Sequence, residues 1–298
     1  MRDPEIPDSI HPVVAEGRSL WPLTSMRIGG SARWLIQPET EREVNEVFAW
    51  IQTHHLPYVV LGGGTNVLFS DSGFPGVVLL TNKLTNVRFD DLTVTAACGE
   101  NLSGLAHRLN QAGLSGMEWA CGIPGTIGGA VTMNAGAHGS DIASVLVSVR
   151  TLSSEGEREL TPEQLELGYR SSAFLAGKLE GIVLDATFTL RHDKPQQCLS
   201  REREILEARR RTQPIGASSG CIFRNPETGP SAGELLDRAG CKGLRIGSAI
   251  VSELHANYII NQGENNANEV LELVQMMRQR VVEMHAILLD LEVVILSL

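Results

Sequence analysis

Two glycine-rich stretches carry the clearest chemical signal in the chain. The first is Gly62-Gly63-Gly64-Thr65-Asn66, and the second runs from residue 122 to residue 139. Consecutive glycines let backbone N–H groups approach an anion without interference from side chains, and a diphosphate is the usual anion that needs such a nest. Either stretch alone also fits ordinary tight turns and close packing. Together they favour one long ligand, a dinucleotide.

The first stretch does not match the common nucleotide-binding motifs. It lacks the G-x-G-x-x-G spacing, and a strand rather than a helix is predicted to follow it. No Gly-Lys-Ser/Thr sequence follows either, which excludes a P-loop. The predicted dinucleotide site is therefore neither a Rossmann fingerprint nor a P-loop.

Regular elements are predicted on both sides of the first stretch. Thr40 and Glu43 form a capping box ahead of helically spaced apolar residues, which predicts a helix that ends before Pro57. The apolar runs 58–61 and 67–69 flank the glycines and predict a strand, a tight loop and a second strand. A further buried strand is predicted at 77–80.

The second stretch lies in a region with more strand and more loop. Alternating apolar residues predict strands near 92–96, 145–151 and 183–190, and a helix ending at Gly113 precedes the glycines. Three modules are therefore predicted, with the boundaries 1–84, 85–194 and 195–298.

The last module is predicted to begin with a linker at Pro195 and an exposed charged helix over 201–211. A second helix begins at Asn266, where Glu269 completes a capping-box pair. A terminal strand over 288–296 is predicted to close the chain.

Charge and composition exclude several classes of protein. The formal net charge is −10, which disfavours nucleic acid and anionic lipid surfaces as partners, so an anionic ligand must be held by local cations. Apolar residues make up 42% of the chain, as in ordinary globular proteins. No apolar run is long enough to cross a bilayer, and no signal peptide is recognised.

The five cysteines lack the spacing of a zinc site or a disulfide scaffold. We therefore expect thiols in a reducing compartment, the cytoplasm, and no metal.

Further motifs appear in an order typical of one family. They are Arg27-Ile28-Gly29-Gly30, Gly168-Tyr169-Arg170-Ser171-Ser172, Gly220-Cys221-Ile222-Phe223-Arg224-Asn225-Pro226, Ser231-Ala232-Gly233 and His255-Ala256-Asn257. With the glycine stretches LGGGTNVLFSDSGFPGVVL and CGIPGTIGGAVTMNAGAHG, they resemble the UDP-N-acetylenolpyruvoylglucosamine reductase family. The resemblance covers nearly the whole chain.

The resemblance implies an α+β fold with a two-part FAD-binding region of the vanillyl-alcohol-oxidase type and a C-terminal α+β substrate domain. It implies that NADPH reduces FAD, and that UDP-N-acetylglucosamine enolpyruvate is then reduced to UDP-N-acetylmuramate, a peptidoglycan precursor. The short segment between Tyr169 and Cys221 resembles the family's second type, which lacks an inserted loop whose tyrosine covers the substrate.

Three catalytic residues are implied by the motifs. Taken by type and position alone, Arg170 fits a surface turn, Glu292 a solvated edge-strand carboxylate and Cys221 a buried unreactive thiol. The resemblance instead implies that Arg170 balances the charge of an enolate-like intermediate, that Glu292 is its carboxylate partner and that Cys221 donates a proton. Asp290 competes with Glu292 for the second role. The family usually has serine at the position of Cys221.

The resemblance also implies two sets of binding residues. The FAD set takes the five residues of the first stretch, Gly62, Gly63, Gly64, Thr65 and Asn66, and from the second stretch Ile123, Pro124, Gly125, Thr126, Gly129, Ala130 and Asn134. The substrate set is Tyr169, Arg211, Arg224 and Asn225, although the basic run that contains Arg211 fits a solvated helix equally well. Leu254 stands where the family often has lysine.

Two other functions fit part of this pattern. An FAD-dependent oxidase of small alcohols or sugars would share the cofactor modules but would need a different C-terminal domain. A flavin-retaining binding partner in a cell-wall complex would need no catalytic residues. The presence of Arg170, Cys221 and Glu292 disfavours both alternatives.

Overall fold

A computed structural model describes residues 4–263 and 265–296, and this part of the chain contains six α-helices and eighteen β-strands. The helices are α1 Glu41–Thr53, α2 Leu102–Gln111, α3 Ile127–Met133, α4 Pro195–Thr212, α5 Ala232–Arg238 and α6 Ala267–His285. The strands are β1 Val14–Glu16, β2 Ala32–Ile36, β3 Tyr58–Leu61, β4 Val67–Phe69, β5 Phe74–Leu80, β6 Val87–Asp90, β7 Thr93–Ala97, β8 Leu114–Ser115, β9 Gly136–Ala137, β10 Ser140–Asp141, β11 Leu146–Ser153, β12 Gly156–Leu160, β13 Ile182–Thr189, β14 Arg191–His192, β15 Arg245–Ile246, β16 Ala249–Val251, β17 Ile259–Asn261 and β18 Val294–Leu296. These elements confirm the predicted α+β class.

The chain divides into two compact units, each with its own hydrophobic core. The first unit comprises Met1–Glu16, Trp34–Gly63 and Gly76–Ala208, and the second comprises Gly17–Arg33, Gly64–Pro75 and Arg209–Leu298. The boundary between the units passes through the first glycine stretch, between Gly63 and Gly64. The division into three modules at residues 84 and 194 stays a prediction.

The first unit is built on two larger sheets and also contains the two-stranded pairs β9-β10 and β8-β14. One has the strand order β1-β2-β5-β3, in which β3 and β5 run parallel with Leu61 opposite Leu80. The other is antiparallel with the order β12-β11-β13-β7-β6. Helix α1 begins at the predicted capping box, where Thr40 Oγ1 accepts a hydrogen bond of 3.2 Å from the Glu43 N–H.

The second unit has a small antiparallel sheet of order β15-β16-β17 and a parallel pair of β4 with β18. Helix α6 starts as predicted, with Asn266 as its N-cap, and it buries Val270, Leu273 and Met277 in the core of this unit. The strand pair starts directly after the first glycine stretch, because β4 begins at Val67.

Three predictions about the last module are wrong, wholly or in part. Pro195 is the first residue of α4 rather than a linker residue, since proline suits the first helical turn, where its missing N–H has no intrahelical partner. This helix is not exposed throughout, because Cys198 and Glu202 are buried. The terminal strand is shorter than predicted and covers only Val294–Leu296.

The described residues contain neither a membrane-spanning helix nor a metal-binding cluster. No helix among residues 4–263 and 265–296 is both long enough and apolar enough to span a bilayer. The same residues contain no group of three or more His, Cys, Asp or Glu side chains arranged to hold a metal ion.

Candidate active site

The two glycine stretches meet in the first unit at Gly62 and Thr126. Gly62 follows the last residue of β3, and a Cβ atom at this position would lie only 2.1 Å from Thr126 Oγ1. Thr126 Oγ1 is buried and has no hydrogen-bond partner among the described residues. Buried hydroxyl groups are rarely left without a partner, so a polar ligand group at this contact would complete the site.

The predicted FAD residues of the second stretch differ in exposure. Pro124 and Gly129 are exposed, Ile123 and Gly125 are half-buried, and Ala130 is buried within α3. Gly125 has a φ of +126°, which is a conformation that only glycine adopts readily. These features fit a loop whose backbone is presented to a ligand.

Arg170 lies in a two-residue turn in the first unit. Gly168 and Ser171 exchange two backbone hydrogen bonds of 3.1 Å each, which places Tyr169 and Arg170 at the tip. Arg170 adopts a φ of +51°, and its guanidinium donates to the Gly136 carbonyl at 2.7 Å. Its Cζ lies 5.4 Å from the centroid of the Tyr169 ring, and that ring is exposed.

Asn134 connects this turn to the second glycine stretch. Its side-chain amide donates to the Gly168 carbonyl at 2.8 Å and to Asp141 Oδ2 at 3.0 Å, and its oxygen accepts from the Ala143 N–H at 3.0 Å. Asn134 is buried and has a φ of +40°, a region that asparagine tolerates better than most residues. The predicted role of Asn134 in binding FAD stays a prediction, but its side chain holds the Arg170 turn.

In the second unit, the end of the first glycine stretch meets the segment that precedes Cys221. Ser25 joins the two, because its N–H donates to the Gly64 carbonyl at 2.9 Å and its hydroxyl donates to the Ser218 carbonyl at 2.7 Å. Gly64 has a φ of +60°, and a Cβ atom there would lie 2.0 Å from the Leu23 carbonyl oxygen. Both observations require glycine at this position.

Glu292 is tied to the same stretch through Asn66. The Asn66 amide donates to the Glu292 carbonyl at 3.0 Å, and the Val294 N–H donates to the Asn66 carbonyl at 3.0 Å. Glu292 lies two residues before the start of β18. The N–H groups of Glu292 and Val293 both donate to the Ile222 carbonyl, at 2.8 and 3.4 Å, so two consecutive residues face one. This bulge interrupts the predicted strand.

Cys221 is held by main-chain contacts on two sides. It forms a β-bridge with Tyr258, and the neighbouring Ile222 N–H donates to the Asn257 carbonyl at 2.9 Å. The Asn257 amide also bonds both backbone groups of Phe223, at 2.8 and 2.9 Å. Gly220, with a φ of +82°, begins this segment. The second unit therefore brings Cys221, Glu292 and residues 64–66 together.

Two further polar residues belong to this group. Tyr258 was missed in the sequence, and Arg209 was considered there only within the basic run that contains Arg211. Tyr258 hydrogen-bonds to the Cys221 sulfur, and Arg209 interacts electrostatically with both Tyr258 and Cys221. Burial lowers the pKa of the Arg209 guanidinium, although Tyr258 and Cys221 oppose this effect. The basic run over 209–211 was the sequence signal for Arg209, and we find no sequence signal for Tyr258.

The predicted substrate residues occupy varied positions. Arg211 is exposed on the last turn of α4, and Asn225 is exposed with its Oδ1 accepting from the Ala232 N–H at 2.9 Å. The Arg224 N–H donates to the Asp290 carbonyl at 2.8 Å, while its buried Nε has no hydrogen-bond partner among the described residues. Arg224 is thus the member of this set that best fits an anionic ligand.

Comparison with known proteins decides the family. A family described as FAD binding domain matches residues 32–161, and one described as UDP-N-acetylenolpyruvoylglucosamine reductase, C-terminal domain, matches residues 212–296. The reductase of Synechococcus sp. (strain JA-3-3Ab) is 41% identical over 288 residues, which cover 95% of this chain and 91% of the relative. The chain belongs to the UDP-N-acetylenolpyruvoylglucosamine reductase family.

Other members of the reductase family are similar over comparable lengths. The Trichormus variabilis reductase is 44% identical over 92% of this chain and 84% of its own. The crystal structure of the Thermus caldophilus reductase matches with a TM-score of 0.80 and 36% identity, and covers 95% of this chain and 98% of that chain. A solvent-stable cholesterol oxidase shares only the fold, with a TM-score of 0.50 and 18% identity over 63% of this chain and 40% of its own.

Membership of the reductase family confirms the predicted FAD-binding fold of the vanillyl-alcohol-oxidase type and its C-terminal partner domain. The glycine backbone at Gly62 and Gly64 and the unsatisfied hydroxyl of Thr126 fit a diphosphate-bearing cofactor such as FAD.

Proposed function

We propose that this chain reduces UDP-N-acetylglucosamine enolpyruvate to UDP-N-acetylmuramate with NADPH as the source of hydride, in the cytoplasm. The observation that carries the proposal is the match to the reductase family over nearly the whole chain, with the FAD domain followed by the family's own C-terminal domain. All five cysteines are free thiols in the described structure, and this supports a reducing compartment.

Bound FAD supplies hydride transfer, from NADPH to the far carbon of the enolpyruvyl group. The residues that would hold it are those predicted from the two glycine stretches, chiefly Gly62 to Asn66 and Ile123 to Ala130. In the second segment the N–H groups of Ile123, Ile127, Gly128 and Ala130 already donate to carbonyls of the protein. The other backbone N–H groups of the two stretches and the Thr126 hydroxyl are the donors that would bind a diphosphate.

Hydride addition to the far carbon pushes electron density towards the substrate carboxylate. We assign Arg170 to that carboxylate, because a guanidinium is always charged and can donate two parallel hydrogen bonds to it. Its turn is fixed by Asn134 and by the Gly168–Ser171 pair, so little ordering is needed on binding. Glu292 is assigned as the carboxyl partner that shares a proton with the substrate carboxylate, and this shared proton offsets the developing charge.

Cys221 is assigned as the acid that protonates the near carbon. The S–H bond breaks as the new C–H bond forms, and the resulting thiolate then recovers a proton from water. An ordinary thiol has a pKa of about 8.5, so it is a far stronger acid than the serine that the family usually has. Of the five cysteines, Cys221 alone is not fully buried in the described structure.

One experiment tests the proposal. The purified protein should be yellow, should release FAD on acid precipitation, and should oxidise NADPH rapidly only when the enolpyruvyl UDP-sugar is present. A colourless protein that FAD cannot reconstitute would refute the cofactor assignment. Oxidation of small alcohols or sugars by oxygen, without any response to the UDP-sugar, would favour the oxidase alternative.

A further inference from the structure

Two polar side chains of the second unit face the Cys221 thiol. Tyr258 lies opposite Cys221 across a β-bridge, and its hydroxyl hydrogen-bonds to the Cys221 sulfur. Arg209, on the last turns of α4, interacts with both residues through its charge. Tyr258 is 9% exposed and Arg209 is half-buried, so water screens these interactions only weakly.

We propose that Tyr258 is a positioning residue that sets the acid strength of Cys221, with Arg209 as its electrostatic partner. The proposal deepens the proposed function and depends on Cys221 being the proton donor of that reaction. It concerns residues of this chain alone, because the phenol oxygen, the guanidinium and the thiol all lie in the second unit.

Proton transfer leaves a negative charge on Cys221 Sγ. A hydroxyl that donates to this sulfur stabilises the thiolate more than the thiol, and so does a nearby guanidinium. Stabilising the thiolate makes Cys221 a stronger acid, and a stronger acid protonates the substrate carbon faster. Without Tyr258 the thiol keeps its proton more tightly, and the step slows.

Tyr258 is suited to donate a hydrogen bond and to keep its own proton. Burial raises the pKa of Tyr258 well above its ordinary value, and the charges of Cys221 and Glu292 and the hydrogen bond to Cys221 raise it further, while Arg209 opposes them. The phenol therefore stays protonated when Cys221 becomes a thiolate. It acts as a fixed donor and does not enter the proton balance of the reaction.

The other ionisable groups around Tyr258 fit this assignment. The His255 ring lies 4.9 Å from the Tyr258 ring, centroid to centroid, and burial and then the charge of Lys242 lower the His255 pKa, so this ring tends to stay neutral. The Glu292 carboxylate disfavours a second negative charge nearby. Arg209 is the cation that offsets Glu292, and the Tyr258 hydroxyl adds a donor at the sulfur itself.

The test measures the pKa of the Cys221 thiol without any turnover. The oxidised, FAD-bound enzyme is alkylated with iodoacetamide across a pH series, and the rate of the Cys221→Ser variant is subtracted to remove reaction at the four buried cysteines. In Tyr258→Phe the midpoint should move upward by about one pH unit, because one charge-assisted hydrogen bond is lost. Arg209→Gln should move it in the same direction.

Arg203→Gln is the matched control, because Arg203 is an exposed arginine on the same helix. It should leave the midpoint where the parent has it. FAD content and melting temperature of Tyr258→Phe should match those of the parent, because the ring and its packing are retained. An unmoved midpoint in a Tyr258→Phe protein that binds FAD normally would overturn the proposal.

A kinetic arm separates this proposal from the role of Cys221 itself. Flavin reoxidation by the UDP-sugar should slow about tenfold in Tyr258→Phe, while flavin reduction by NADPH stays unchanged. In a Cys221→Ala background, Tyr258→Phe should add no further loss, since both act on one proton transfer. Additive losses would overturn the proposal. Full turnover by Cys221→Ala alone would instead refute the acid role in the proposed function.

Discussion

The Arg170 turn and the Cys221 segment are held in place by different kinds of bond. Arg170 depends on side chains, because Asn134 bonds the Gly168 carbonyl and the Arg170 guanidinium itself bonds the Gly136 carbonyl. Cys221 depends mainly on backbone pairing with residues 257–258 and on the ladder from Ile222 to Glu292. Substitution of the functional side chain should therefore disturb its surroundings at Arg170 and leave them intact at Cys221.

The largest expected effect is that of Cys221→Ala. A general acid typically contributes about 10² to 10⁴-fold, and we expect a loss of that size in substrate-dependent turnover. Flavin reduction by NADPH and the melting temperature should stay near those of the parent, because the backbone ladder does not need the thiol. Cys221→Ser, which restores the usual residue of the family, should retain substantial activity.

Alkylation gives an independent check on Cys221. A thiol-specific reagent should inactivate the parent but not the serine variant, and substrate should protect the parent. Turnover by the alanine variant at nearly the parental rate would contradict the role of Cys221 as the acid.

Arg170→Lys and Glu292→Gln should have the next largest effect. Each weakens a contact to the developing negative charge, because lysine carries its charge on a single nitrogen and glutamine has no carboxyl proton to share. Loss of one such contact typically slows the reaction by about 10² to 10³-fold. The loss should appear only in flavin reoxidation by the UDP-sugar, measured by stopped-flow absorbance. Lysine also loses the bidentate geometry and the bond to Gly136, so Arg170→Lys should lower the melting temperature slightly.

Arg158→Lys is the control for Arg170→Lys, because Arg158 makes an exposed ion pair with Glu155 in the same unit. It should change neither half-reaction. Equal losses in both half-reactions for Arg170→Lys would show that Arg170 supports the fold or the flavin site rather than the reaction.

Asn134 gives a more direct test of whether side-chain bonds hold the Arg170 turn in place. In Asn134→Gly the backbone can keep its φ of +40°, but the bonds to Gly168, Asp141 and Ala143 are lost. We expect a loss of about 2–3 kcal/mol in the free energy of unfolding and roughly tenfold slower flavin reoxidation, because the Arg170 turn loosens. Asn134→Ala should be less stable still, since alanine disfavours that φ. A glycine variant with parental kinetics would mean that the turn holds Arg170 without Asn134.

The elements around the site were largely predictable from the sequence, because they depend on local signals. The capping box at Thr40, strand β3 at 58–61 and strand β4 at 67–69 follow from short-range patterns, and the structure confirms them. Which residues come together at the site was less predictable. Tyr258 meets Cys221 through a β-bridge and a side-chain hydrogen bond, although the two residues lie far apart in sequence. The bulge before Val294 depends on pairing with Ile222.

The Asn66–Glu292 bond shows the same limit. Asn66 was predicted from its glycine-rich neighbours, and Glu292 from a resemblance to the family, but nothing in either pattern indicates that the Asn66 amide bonds the Glu292 carbonyl. Such contacts are set by the packing of the whole unit rather than by local sequence. They connect the predicted cofactor loop to a predicted catalytic residue.

The smallest effect should come from a side-chain network that holds no proposed catalytic residue. The buried Glu118 carboxylate accepts bonds from Arg201, from Ser115 and from the Gly116 N–H, and it helps to fix α4 in the first unit. Burial alone would raise the Glu118 pKa, but the bonds from the backbone N–H groups and then from Arg201 and Ser115 outweigh it, so the pKa is lowered. Glu118→Gln should cost about 2 kcal/mol of stability at pH 7, or roughly 5 °C in melting temperature.

The sign of the pH dependence follows from the lowered pKa of Glu118. Its ionised form is favoured by folding, so its contribution is complete above the ordinary glutamate pKa of about 4.3 and is lost as the pH falls through the lower value in the folded state. The difference in melting temperature between parent and Glu118→Gln should therefore be constant from pH 8 to pH 6 and shrink below about pH 4. Glu155→Gln removes an exposed ion pair and is the control. Its melting temperature should equal that of the parent both from pH 8 to pH 6 and below about pH 4. Both half-reactions should be unchanged in Glu118→Gln at pH 7. Slower flavin reoxidation in this variant would mean that side-chain networks remote from Arg170 also control the reaction, and the contrast between the two regions would then fail.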